Sequence, residues 1–383
     1  MSTIGSERMV KVTGDQIQEE ERQSHERSSW SDAPVDILRS ILCRLFVGDA
    51  ATFSAVCKSW RLVTIVRSTI PPPVPNPNDE LTTCPYLLLS NKFFHPLYNA
   101  SFQKMDIQKL PKGIVHVANY GWLLIARGRS IMFFYHPFTN RRIDLPDIGP
   151  LNSFKLITFS SPPNSPDCEI VRIRRDVSDK IVVETMKRGK AEFSTSLVFR
   201  DAGSFELSRC NPVFYRGKYY FIGSEGNLVI YDPKRSKPRR TGSPKHMWGH
   251  VSYNDCQYYM FEGEGDLWAV FVAGRGKELC VCKLNMEKMI WEMVHNLKGR
   301  MIFVSRTSSF IERTNVRGAD NKIYFPKFRE NNVLFYSLAT KKFHTFERGS
   351  SYDSYHNSKQ MLLSVWIKID PHHVEISEEG ISW

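Results

Sequence analysis

The sequence contains no long apolar run. Its 383 residues include no uninterrupted apolar stretch of the ~18 residues that a membrane-spanning helix needs. The first residues are polar and lack the apolar segment of a secretory signal peptide. These absences exclude a membrane-spanning class and give no reason to expect export.

Cysteine is scarce and scattered. Eight cysteines occur without a C-x-x-C pair, in a chain far longer than a small disulfide-stapled domain. We therefore expect reduced thiols that serve as small apolar residues, and a location in the cytoplasm and/or nucleus. Cys280 and Cys282 lie two apart in a strand-like run, so they should share one face of that strand.

The usual catalytic and metal-binding motifs are missing. The sequence has no G-x-S-x-G elbow, no P-loop and no H-E-x-x-H. His246 and His250 are four residues apart, but the segment is turn-like and no cysteine or carboxylate lies beside them. We predict no catalytic residue, no metal site and no cofactor, so the chain is not expected to be an enzyme.

Acidic residues are outnumbered by basic ones. Lys and Arg total 52 against 40 Asp and Glu, a formal net charge of +12. The first 70 residues carry nine of each sign, so the whole excess lies in the rest of the chain. A basic surface favours acidic partners and speeds their encounter, so we expect a protein partner with an acidic face.

One run concentrates this charge. Five cations crowd the segment KRSKPRR: Lys234, Arg235, Lys237, Arg239 and Arg240. The run has two interpretations: a nuclear-import or acidic-docking patch, or a solvent-exposed loop after a strand, which we favour. Nucleic-acid binding would also need stacking aromatics on a basic face, and the aromatics here follow strand periodicity.

Residues 30–63 are the most distinctive part of what is present. Ser31 or Asp32 can cap a helix, and Pro34 suits its first turn. Apolar residues then recur with helical spacing at Leu38, Ile41, Leu42 and Leu45. After Asp49, a second possible cap, the same spacing recurs at Phe53, Val56, Cys57 and Trp60.

A unit of ~40 residues is too small to close a core of its own. It must bury its remaining apolar surface elsewhere, either on its own domain as an ordinary helical hairpin or on a partner protein.

The pattern from Trp30 to Arg61, with CKSWR (57–61) as its most specific part, resembles an F-box. The resemblance implies docking on a Skp1-type adaptor and, through it, on a cullin ubiquitin ligase. Ala33 departs from the leucine usual before the proline, which implies reduced adaptor affinity. The adaptor-binding residues implied are Pro34, Ile37, Leu38, Ile41, Leu42, Cys57 and Trp60.

The chain divides into four segments. Residues 1–28 are polar and predicted to be disordered, and residues 29–69 form the helical module. The proline-rich stretch 70–83 reads as a stiff spacer, and 84–383 as an all-β domain. The fold class is therefore α+β multidomain.

The β domain repeats a strand–turn–strand phrase. Six anchors, 37 to 54 residues apart, are Tyr98, Tyr135, Val183, Tyr231, Cys282 and Tyr336. A four-stranded repeat of ~40–50 residues is typical of a propeller blade. We expect a kelch-like propeller of six blades, closed by the last strand, 361–369, returning to the first; an irregular two-sheet domain is the alternative.

This domain resembles the KIB-type domain of plant F-box proteins, also called DUF295-like. The phrases that carry the resemblance are YLLLSN (86–91), YHPFTNRRIDLP (135–146), CNPVFYRGKYYFIGSEGNLVIYD (210–232) and NKIYFPK (321–327). The resemblance implies the substrate-recognition subunit of an SCF-type ubiquitin ligase, whose propeller binds a target protein. The alternatives are a non-degradative, basic or nucleic-acid-binding propeller with a weakened F-box, and an enzyme with a titratable cluster in its central pocket.

Overall fold

A computed structural model describes most of both domains. The residues described are 30–44, 53, 56–69, 85–89, 92–94, 111–137, 139–147, 149, 154–175, 180–199, 205–235, 239–240, 256–314, 316, 318–329, 332–345, 351–356, 358–360, 364–368 and 383. The predicted N-terminal tail and proline-rich spacer lie outside them.

The N-terminal module is helical. A 3₁₀ turn, Trp30–Asp32, precedes helix α1, Val35–Arg44, and helix α2 spans Lys58–Thr69. Pro34 stands directly before α1, where a missing N–H leaves no hydrogen bond unmade. The second predicted helix is interrupted, because Val56 is in a turn and α2 begins only after Cys57. Within the described residues neither helix is long and apolar enough to cross a bilayer.

Four sheets share one simple topology. Each has four antiparallel strands in chain order. The first blade contains β3 (Ile114–Asn119), β4 (Trp122–Arg127), β5 (Ile131–His136) and β6 (Arg141–Asp144). The second contains β7 (Leu156–Phe159), β8 (Glu169–Arg175), β9 (Ile181–Lys187) and β10 (Ser194–Phe199). The third contains β11 (Val213–Tyr215), β12 (Lys218–Ile222), β13 (Leu228–Tyr231) and β14 (Arg239–Arg240). The fourth contains β15 (Gln257–Gly263), β16 (Asp266–Ala273), β17 (Glu278–Asn285) and β18 (Ile290–Val294).

The fifth blade is larger, and its strands form one seven-stranded sheet. They are β19 (Arg300–Val304), β20 (Ser309–Arg313), β21 (Lys322–Arg329), β22 (Asn332–Ser337), β23 (Lys342–Thr345), β24 (Ser351–Tyr352) and β25 (Lys359–Gln360). Strands β19 and β21 are parallel neighbours, so the segment between them crosses over instead of starting a new sheet.

The remaining strands form a closing sheet from both ends of the domain. It consists of β1 (Tyr86–Leu89), β2 (Lys92–Phe94) and β26 (Ser364–Ile367). β26 pairs with β1 in antiparallel register, Tyr86 opposite Ile367 and Leu89 opposite Ser364. The predicted return of the last strand to the start of the domain is confirmed.

The expectation of six blades is not supported, because the structure has five. Five of the six anchors, Tyr135, Val183, Tyr231, Cys282 and Tyr336, lie on β5, β9, β13, β17 and β22, one in each blade. The sixth, Tyr98, lies outside the described residues. The strand described just before it, β2, belongs to the three-stranded closing sheet.

Some middle strands are buried along nearly their whole length because both faces of the sheet are covered. β16 is buried from Leu267 through Ala273, and β13 is buried throughout. The fourth strands β6 and β18 instead mix buried with exposed residues. Continuous apolar runs are expected where neighbouring sheets pack on both sides.

Tight turns join the first and second strands of three blades. In each, both turn residues have positive φ: Tyr120–Gly121, Arg216–Gly217 and Glu264–Gly265. A two-residue hairpin with positive φ at both positions matches the twist of its strands, and glycine at the second position adopts it without a Cβ clash.

Closure of the domain depends on Trp366, which is fully buried on β26. Its indole packs on Phe303 with ring centroids 5.0 Å apart, and Nε1 donates to the carbonyl oxygen of Val304 at 3.2 Å. On the other side, Val365 and Ile367 pack with Leu123 and Phe133 of the first blade. The closing sheet therefore joins the fifth blade to the first.

An ionic contact ties the fourth blade to the fifth. Glu264, in the β15–β16 turn, accepts from Nε of Arg300 at 2.8 Å and from Nε of Arg313 at 2.7 Å. The hydrogen bond from Arg300 is the main reason that the pKa of Glu264 lies below its ordinary value of 4.5. Ionised Glu264 therefore stabilises the folded state.

Replacing Trp366 by Ala should lower the free energy of unfolding by about 3–5 kcal/mol, because it leaves a large cavity at the closure. Urea denaturation followed by tyrosine and tryptophan fluorescence measures this. As a control, Ile290→Ala at a site 46% exposed should change stability by no more than about 0.5 kcal/mol. If both substitutions lowered the free energy of unfolding equally, the stabilising role of Trp366 in the closing sheet would be contradicted.

Glu264→Gln should destabilise the protein at neutral pH and make little difference in acid. The folded-state pKa is lowered, so the stabilisation is present above the unfolded pKa near 4.5 and is lost as pH falls through the folded value. Thermal unfolding midpoints of both proteins between pH 7 and about 3 test this. The control is Glu278→Gln, at an exposed position. If Glu264→Gln lowered the unfolding midpoint by the same amount at every pH, the prediction would be contradicted.

Candidate functional site

The helical module has a small core of its own. Leu38 of α1, Phe53 and Val63 of α2 are buried against one another, and Ala33 and Ile41 pack on them while half-buried. Part of the predicted apolar stripe therefore packs on the module's own core. The smaller side chain at Ala33 reduces packing on this core.

Trp60 fastens the start of the module to α2. Its indole lies against Phe53 with ring centroids 4.3 Å apart, and Nε1 donates to the carbonyl oxygen of Trp30 at 2.9 Å. The Trp30 backbone also accepts from the N–H of Ala33 at 3.4 Å. The Trp60 side chain therefore holds in place the segment that leads into α1.

A second set of apolar side chains points away from this core. Their exposed fractions are 51% or more: Trp30, Val35, Ile37, Val56 and Leu62. They are five of the nine large apolar side chains exposed in the described part of the chain, although the module is a small fraction of it. Such a concentration on a small unit makes these side chains a candidate binding surface.

The structure divides the predicted adaptor-binding residues between surface and core. Pro34 and Ile37 are exposed, whereas Leu38 is fully buried. Ile41, Cys57 and Trp60 are half-buried, and the side chain of Leu42 lies outside the described part. Their contact with an adaptor remains a prediction.

Sequence reasoning missed Val35, Val56 and Leu62 as surface candidates. Helical spacing identifies the face that packs inward, and Val35 and Leu62 lie off that face. Val56, predicted on the second stripe, is instead 56% exposed because the chain turns there before α2 begins. The signal available for Val35 and Leu62 was a large apolar residue at a position that the inward stripe does not use.

A narrow cavity of about 110 Å³ runs between the innermost strands of the propeller. Asn119, Asn211, Tyr259, Glu262 and Arg306 are among its lining residues. The pKa of Tyr120, also on the lining, is raised to about 12 mainly by burial, so its hydroxyl stays protonated at neutral pH. The cavity is polar but has room for only a few water molecules.

The described residues contain no group of three or more His, Cys, Asp or Glu that could hold a metal ion. Burial raises the pKa of Cys168 and of Cys210 to about 12, so both thiols stay protonated and unreactive. Sγ of Cys280 lies 3.8 Å from Sγ of Cys282, as expected for two residues on one face of a strand.

The basic run near residue 234 is partly turn and partly strand. Lys234 and Arg235 are exposed in the turn after β13, where Asp232 lies 3.7 Å from Arg235. Arg239 and Arg240 form β14 and pair with β13, so the segment is not wholly a loop. Lys237 lies outside the described residues.

The described residues define a protein of two modules, a helical one with exposed apolar side chains followed by a β-propeller. Comparison with known families agrees. Residues 30–65 match the F-box domain, and residues 94–337 match the KIB1-4 beta-propeller. The chain belongs to the plant F-box proteins that carry a KIB1-4 β-propeller.

Relatives in Arabidopsis thaliana align over most of this chain and most of their own length. The F-box/kelch-repeat protein At1g57790 is 26% identical over 84% of this chain and 90% of its own length. The F-box protein At4g00893 is 25% identical over 83% of this chain and 81% of its own length. The similarity therefore covers both domains.

Trp60→Phe should weaken adaptor binding modestly and Trp60→Ala more strongly. Phenylalanine keeps the ring contact with Phe53 but loses the hydrogen bond to Trp30, which is worth about 1 kcal/mol. Alanine loses both. Titration of the adaptor by calorimetry measures the affinities of the unaltered chain and of both variants. Equal affinities of the unaltered chain and of Trp60→Phe would show that the indole N–H has no part in positioning Trp30.

Proposed function

We propose that this protein is the substrate-recognition subunit of an SCF-type ubiquitin ligase. The observation that carries the proposal is the exposed apolar surface of the F-box, formed by Trp30, Val35, Ile37, Val56 and Leu62. A Skp1-type adaptor would cover this surface and connect the chain to a cullin. Each large side chain that becomes fully buried contributes about 1.5–3 kcal/mol.

The propeller would bind a target protein. Its excess of basic residues favours an acidic target face, and the central cavity is too small for a peptide segment to enter. The target would therefore contact strand ends and turns. Nucleic acid and membrane are not expected partners, and the site of action would be the cytoplasm and/or nucleus.

The mechanism is proximity. The chain would supply no catalytic group, and the ligase would supply the ubiquitin chemistry. Holding a target and the ligase on one chain raises the effective concentration of target lysines near the charged ubiquitin. The two binding surfaces are enough for this role.

A second candidate is a non-degradative, basic interaction propeller whose F-box has weakened. The observation in its favour is Ala33, whose small side chain reduces packing on the module core. The exposed apolar set argues against it, because a module that no longer bound an adaptor would gain nothing from large apolar side chains in water.

Ile37→Asp should lower recovery of the adaptor at least about tenfold when the full chain is co-expressed with it. The side chain is 51% exposed, so the change places a charge on the docking surface without entering the module core. Quantitative affinity purification measures the adaptor-to-chain ratio.

Ser59→Asp is the matched control, since it adds the same charge at an exposed polar position in the first turn of α2. Adaptor recovery should be unchanged for the control. Undiminished recovery with Ile37→Asp would contradict the assigned surface, and absence of adaptor from the unaltered chain would favour the second candidate.

A further inference from the structure

A groove of about 1170 Å³ opens at one end of the first blade. It lies where β3 begins and where β4 turns into β5, and its lining includes Lys112, Ile114, Arg127, Arg129 and Asp147. We call it the blade-one groove. Because antiparallel strands alternate in direction, this end belongs to the face formed by the turns between second and third strands.

The three cations of the groove are exposed and carry no ion pair with any described acid. The one carboxylate of the lining, Asp147, accepts from the N–H of Gly149 at 2.9 Å within its own turn. The groove thus has an excess of two positive charges, three cations less one acid, available to a ligand.

Several cations elsewhere in the propeller are paired with acids within the fold. Glu184 pairs with Arg172 and Arg174 at 2.6 and 3.0 Å, and Lys368 lies 2.7 Å from Glu312. Lys112, Arg127 and Arg129 instead stand together on the lining of one groove without an acidic partner among the described residues.

Apolar surface accompanies this charge. Ile114 is 65% exposed and Ile131, opposite Arg127 in the β4–β5 register, is 48% exposed. They are two of the four large apolar side chains exposed in the described part of the propeller. A ligand for this end must therefore offer both negative charge and apolar contact.

We propose that the blade-one groove binds an acidic peptide segment of the target in which an apolar residue lies among carboxylates. The inference rests on the proposed function of the chain as a substrate receptor. The carboxylates would meet Lys112, Arg127 and Arg129, and the apolar residue would cover Ile114. Arginine suits this role because its planar guanidinium can hold a carboxylate through two hydrogen bonds.

A nucleic acid fits the groove less well. Binding to single-stranded nucleic acid combines cations with aromatic rings on which the bases stack. The lining of the groove includes no Phe, Tyr or Trp, and its one ring, His116, is half-buried against Phe154 with centroids 5.3 Å apart. Exposed isoleucine also gains nothing from a phosphate backbone.

The test uses the full chain in complex with its adaptor and a fluorescein-labelled heptapeptide of alternating Glu and Asp with a central Leu. Fluorescence anisotropy gives the dissociation constant. Arg127→Glu with Arg129→Glu should weaken binding about tenfold or more, since two attractive pairs become repulsive. High salt should weaken binding to the unaltered chain, because exposed charges are screened.

Three controls make the result specific. Lys190→Glu with Lys288→Glu makes the same change in charge at exposed turns on the opposite face, and should leave peptide binding unchanged. A peptide with Ser in place of Leu should bind more weakly, and one with Gln and Asn in place of the acids should not bind. Circular dichroism and the adaptor content of each sample verify folding.

The proposal is overturned if the acidic peptide does not bind, if both double variants lose binding equally, or if an oligonucleotide of equal charge binds the groove more tightly than the peptide. Retention of the adaptor in those samples leaves the receptor function standing. Failure of the unaltered chain to bind the adaptor contradicts the receptor function itself, so the two failures are distinguishable.

Discussion

The propeller depends on the pairing of its last strand with its first. β26 contributes only four residues, yet Trp366 fills the space beside the fifth blade while Val365 and Ile367 pack toward the first. Without this sheet, both the first and the fifth blade would expose an apolar face to water. The pairing of β1 with β26 joins residues about 280 apart in sequence, so it carries a long-range part of the fold and the corresponding loop-closure entropy.

The positions of individual strands and helices could be predicted from the sequence more readily than the grouping of the strands into sheets. Alternating turns and apolar runs located β12, β13, β21 and β22, and the anchors fell one to a blade. The blade count did not follow, because a repeat phrase near Tyr98 looks the same whether its strands start a blade or join a closing sheet. Which strands pair across more than two hundred residues is a property of the closed fold and leaves no local pattern.

The helical module shows the same limit on a smaller scale. Periodicity located α1 and identified Leu38, but it did not show that Leu38 faces Phe53 and Val63 instead of a partner. Two amphipathic helices can bury their stripes on each other, and then the docking surface consists of the apolar residues that remain. Val35 and Leu62 belong to that remainder, and only the packing of α1 against α2 reveals it.

The chemistry of the two proposed surfaces differs in a way that suits a receptor. The F-box surface is apolar, so its stabilisation scales with area and is insensitive to salt. The blade-one groove is ionic at its rim, where Lys112, Arg127 and Arg129 are exposed, and such contacts are individually weak and screened. A chain built this way would stay on its adaptor through many encounters while releasing each target, as repeated use of one ligase requires.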